Sequence, residues 1–80
     1  MSNWRIYQMG NDDCFVVTDG RDLPANITCV EQFRLVSNIE GTLDAIGHMV
    51  IAARDAYQDI TANGFATFYS RHLHPTWKRP

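Results

Sequence analysis

Apolar residues recur at spacings of three and four through residues 42–63, TLDAIGHMVIAARDAYQDITAN: Leu43, Ile46, Val50, Ala53, Tyr57 and Ile60. At about 100° per residue these positions fall on one side of a helix. Ala45, Met49, Ala52 and Ala56 widen the stripe to the breadth of a core-facing surface. Thr42 suits the N-cap, where a hydroxyl accepts from an unpaired N–H of the first turn. Asp44 in that turn is favoured by the positive end of the helix dipole. Asn63 and Gly64 form a natural stop, because both tolerate positive φ. The pattern therefore predicts one long central helix. Gly47 is its weak point, at roughly 1 kcal/mol against Ala.

Before this stretch the period changes. Residues 4–9, WRIYQM, alternate, with Trp4, Ile6 and Gln8 on one side and Arg5, Tyr7 and Met9 on the other. Cys14 to Thr18 is rich in β-branched and aromatic residues, and the GNDD between the two runs is turn chemistry. Residues 3–18 thus predict a β-hairpin. Residues 27–40, ITCVEQFRLVSNIE, support two readings. Thr28 and Glu31 match a capping box, which favours a helix from about Cys29, with Val30, Phe33 and Val36 sharing a side. Ile27, Cys29, Phe33, Leu35 and Ile39 alternate as a third strand would. The helix is the preferred expectation. Residues 65–72 place Phe65, Phe68, Tyr69 and His72 at helical spacing, which predicts a short C-terminal helix; a strand through Phe65 to Tyr69 is the alternative. The expected fold class is α+β: an N-terminal antiparallel hairpin, three strands if 27–40 is extended, packed on the long helix.

Eighty residues make a single domain with a small core. With 45% hydrophobic and 20% charged residues the chain has enough apolar matter to fold. It has no apolar run long enough to span a bilayer, and MSNWRIYQMG lacks the apolar centre of a signal peptide. A cytoplasmic location is expected. Cys14 and Cys29 do not form a disulfide framework, and in a reducing compartment they are expected as buried thiols. The net charge of −2 is uneven. All nine acids precede residue 60, whereas residues 71–80 carry Arg71, Lys78 and Arg79 without an acid. Residues 74–80 are expected to form a flexible basic tail, with Trp77 as a stacking handle. The body lacks the basic face that general nucleic-acid binding requires.

No chemistry assembles from the motifs. Structural zinc sites present paired ligands such as C-x₂-C. Here fourteen residues separate Cys14 from Cys29, and His72 and His74 are the only close pair. Both cysteines sit in apolar runs, which argues for buried and inert thiols. Phosphate-binding glycine loops, nucleophile elbows and zinc-protease helices are absent from the sequence. The expectation is therefore a non-enzyme with no cofactor and no metal. A helix–turn–helix built from 28–38 and 42–62 would offer phosphate an outward face bearing Asp44, Asp55 and Asp59, which repels it.

The helix opening GTLDAI, residues 41–46 after strands, is similar to HicB-like antitoxin domains, which show strands and then a Gly-x-Thr-Leu-Glu-Glu-Ala helix start. Asp44 and Ala45 depart from the paired acids of that start. The family's Asp-Leu-Pro-Gly feature is represented by Asp22, Leu23 and Pro24. The resemblance implies a small dimeric regulator or antitoxin.

What the pattern leaves free is the polar flank of the central stretch: Asp44, His48, Ile51, Asp55 and Asp59, with Arg54 and Gln58 beside them. An apolar residue ringed by charge is the arrangement of a contact anchor. These five residues are the candidate partner-binding site. The expected function is a small protein-binding module of the size class of phage and mobile-element inhibitors, anti-CRISPR proteins among them, which would occlude a basic surface of a host protein or protein–nucleic acid complex. Direct nucleic-acid binding is expected only through the tail. A homodimer is compatible with the amphipathic stripe.

Overall fold

The computed structural model describes residues 2–10 and 13–77. Asn11 and Asp12 of the expected hairpin turn, and residues 78–80 of the expected tail, lie outside them. Strands β1 (Ser2–Met9) and β2 (Cys14–Thr18) form the anticipated hairpin, pairing Arg5 with Thr18 through Gln8 with Phe15. They are the central strands of a four-stranded antiparallel sheet. Strand β3 (Phe33–Gly41) pairs with β1 at one margin, and β4 (Ala66–Tyr69) pairs with β2 at the other. Two short helices, α1 (Leu43–Gly47) and α2 (Ala53–Asn63), carry the chain from margin to margin across one face.

This corrects the expected architecture in three places. First, residues 33–41 are a strand and not a helix. Thr28 and Glu31 produce only a 3₁₀ turn at Val30–Gln32, entered through Cys29 in the left-handed region (φ 58°) with no side-chain cap. The outer edge of β1 presents unpaired backbone groups, and pairing them outweighs the weak local preference. A bulge at Val36 interrupts this ladder, for Ile6 faces Ser37 while Tyr7 faces Leu35. Second, residues 66–69 are a strand. Ala66 and Phe68 point into the core and Thr67 and Tyr69 outward, a period of two, and a 3₁₀ turn (Ser70–His72) follows. The expected C-terminal helix is absent there because β2 needed a partner.

Third, there is no long central helix. The stretch 42–63 breaks after Gly47, and the backbone of 49–51 pairs with the C-terminal segment. Val50 bridges Leu73, the Ile51 N–H donates to the His72 carbonyl (2.8 Å), and the His74 N–H donates to the Met49 carbonyl (2.7 Å). These bonds replace the helical ones that a continuous helix would have made. The two ends of the stretch are nevertheless built as the sequence suggests. The Asp44 N–H donates to the Thr42 hydroxyl (3.3 Å). Gly64, at φ 87°, ends α2 with its N–H on the Ile60 carbonyl (2.8 Å).

The core lies between the sheet and the helices. Trp4, Ile6, Phe15, Val17, Ala66 and Phe68 face Ile46, Met49, Val50, Ala56 and Ile60. Trp4 also donates its indole N–H to the Thr42 carbonyl (3.0 Å), which ties β1 to the start of α1. The break rotates the apolar stripe. Met49 is fully buried, while Leu43 (39% exposed) and Tyr57 (46%), both expected in the core, are largely outside it.

The opposite face of the sheet is closed in part by the segment between β2 and β3. Tyr7, Val16 and Thr18 point away from the helices, yet all three are buried. The Thr18 and Tyr7 hydroxyls both donate to the Arg21 carbonyl (2.7 and 3.5 Å). Arg21 clamps Asp19 with two guanidinium N–H groups, and Arg5 reaches Asp22 at 2.8 Å.

Candidate functional site

All five candidate contact residues are exposed. Asp44 lies in the first turn of α1, and His48 closes that helix with its N–H on the Asp44 carbonyl (3.1 Å). Asp55 opens α2 and Asp59 follows one turn later, so both carboxylates share a side of that helix. Ile51 lies between the two helices and is 63% exposed, more than any other large apolar side chain among the described residues. The structure therefore places the candidates as one exposed pair at each helix, with Ile51 in the connection between the helices. It does not give the continuous stripe on one helix that the spacing implied, because residues 48–52 leave the helical path.

Ile51 owes its position to residues distant in sequence. Its N–H is held by His72, and its neighbour Val50 is buried and bridged to Leu73. That C-terminal segment is itself anchored. Asp13 accepts from both the Ser70 N–H and the Ser70 hydroxyl. The Tyr69 N–H donates to His72 Nδ1 (3.3 Å). The Arg71 guanidinium lies 5.2 Å from the centre of the Tyr69 ring, a cation–π contact. Trp77, expected as a stacking handle in a tail, instead packs edge-on against Phe15 with ring centres 6.4 Å apart. Of the expected tail, residues 74–77 turn back onto the domain, with the Trp77 N–H on the His74 carbonyl (2.9 Å).

A groove of about 340 Å³ opens on the other face of the sheet. Met9, Val16, Ile27, Phe33 and Phe65 give it apolar walls, and Cys14 and Thr28 are among its polar lining. Cys14 and Cys29 are half-buried and are not joined in a disulfide. Beside this face, the Arg5 guanidinium is held above its ordinary pKa, first by a hydrogen bond to Tyr7 and then by Asp22, against the opposing effect of burial. Its Nε is buried without a partner. Arg21 is raised likewise by Asp19. Both groups remain cations, and both serve to pin the loop. No cluster of three or more His, Cys, Asp or Glu residues suited to a metal is found among the described residues. No helix among them is long and apolar enough to cross a membrane.

Sequence reasoning missed three further exposed apolar residues, one on the sheet face opposite the helices and two on the helices. Leu35 (52% exposed), Leu43 and Tyr57 are large and solvent-facing. Val36 and Ile39 on β3 are only half-buried at the margin of the core. Leu43 and Tyr57 fit the core stripe by spacing, so no local signal marks them as exposed. Comparison of the chain with protein-family models, curated proteins and solved structures found no match in any of the three.

Proposed function

We propose that this chain is a non-catalytic protein-binding module that places an acidic, centrally apolar surface on a basic region of another protein. The observation that carries this reading is Ile51. It is highly exposed, yet its backbone is fixed by a hydrogen bond and the adjoining bridge to the C-terminal segment. A rigidly presented apolar side chain loses little freedom on binding, and this is the condition under which one residue contributes most to a contact. Asp44, Asp55 and Asp59 would supply the complementary charge and the steering toward a basic partner. Occlusion of a basic surface on a host nucleic-acid-handling complex, as an anti-CRISPR-type inhibitor acts, is the form of this function that the net negative charge of the chain supports. Its proposed setting is the cytoplasm, where Cys14 and Cys29 would stay reduced.

The test uses the full chain as bait against lysate of its source cell, beside two variants, Ile51→Asp and Asp55→Lys/Asp59→Lys. Both variants should keep the circular dichroism of the parent and lose the captured partner. A partner retained by both variants would remove this surface from the function.

A second reading is favoured by one feature. Three strands do precede the helix opened by Gly41, Thr42 and Leu43, the order of the HicB-like domains that this start resembles. On that reading the chain is a dimeric regulator. Light scattering would then give twice the monomer mass, and a DNA mobility shift would weaken steeply with salt.

A further inference from the structure

We draw no further inference here: the strongest candidate, the margin of the sheet where Val36, Ile39, Leu43 and Tyr57 lie beside the outer edge of β3, is an apolar face, and nothing in the structure shows what covers it.

Discussion

At the β4 margin the sheet is short and closed. Four residues of strand lie under α2, Ala66 and Phe68 are buried, and the following turn is fastened to Asp13. At the β3 margin the nine-residue strand is met by α1 more closely than by α2. On the helix side Val36 and Ile39 are covered only in part, and on the opposite face Leu35, beside Tyr7, is exposed as well. The difference is one of dimensions. A helix with its side chains is about 10–12 Å across. Four strands set about 4.8 Å apart span roughly 14 Å between the outer axes, before side chains are added. One full helix cannot cover that width, and α2 sits toward β4. What remains uncovered is β3, where the bulge at Val36 interrupts the ladder of an edge that would otherwise be an extended template for pairing.

The sharpest way to break this comparison is to empty the covered half. Phe15 is fully buried, pairs with Phe68 across the strands and meets Trp77 edge-on. Phe15→Ala should cost about 3–5 kcal/mol. A domain of this size has roughly that much stability in total. The variant should therefore be largely unfolded in water by circular dichroism, and a normal urea midpoint would mean that the β4 half is not the main store of stability.

The next effect is at the join between β3 and α1. Gly41 has φ 151°, and a Cβ there would stand 2.6 Å from the Ala45 Cβ. Gly41→Ala should cost about 2 kcal/mol through backbone strain and the clash. An equilibrium denaturation curve reads it directly, and an unchanged midpoint would show that α1 can move away from β3 freely.

Gly47 gives a smaller effect of opposite sign. Its backbone is ordinary, and the nearest atom to an added Cβ is the Ala53 Cβ at 3.9 Å. Gly47→Ala should stabilise by about 0.5–1 kcal/mol, since the flexible residue is not needed in that conformation. A loss of stability would mean that the break between α1 and α2 depends on the glycine itself and not on the bonds to residues 72–74.

The smallest change is expected on the uncovered strand. Leu35→Thr should alter stability by no more than about 0.5 kcal/mol, because the side chain is mainly in solvent and threonine suits a strand. A cost near that of Phe15→Ala would show that this margin is buried in solution, and the contrast between the two margins would fall.

Much of what could be read in the chain was local. The Thr42 hydroxyl caps a helix through an N–H two residues away, and Gly64 stops one through its own φ. The β1–β2 pairing joins an alternating run, residues 4–9, to a run rich in β-branched and aromatic residues, 14–18. The exposure of Asp44, His48, Asp55 and Asp59 was legible for the same reason, since polar residues in an amphipathic stretch turn to water wherever the helix ends.

Three features were decided by partners far along the chain. Residues 33–41 and 66–69 carry enough apolar residues for either secondary structure, and they became strands because the two edges of the hairpin had backbone groups to satisfy. The helix across 42–63 broke because the backbone of 49–51 found acceptors and donors in residues 72–74. Local periodicity reports which face of a segment is apolar. It is silent on which other segment will take up its N–H and C=O groups, and in this protein that pairing set the strand count, the helix lengths and the place of Ile51.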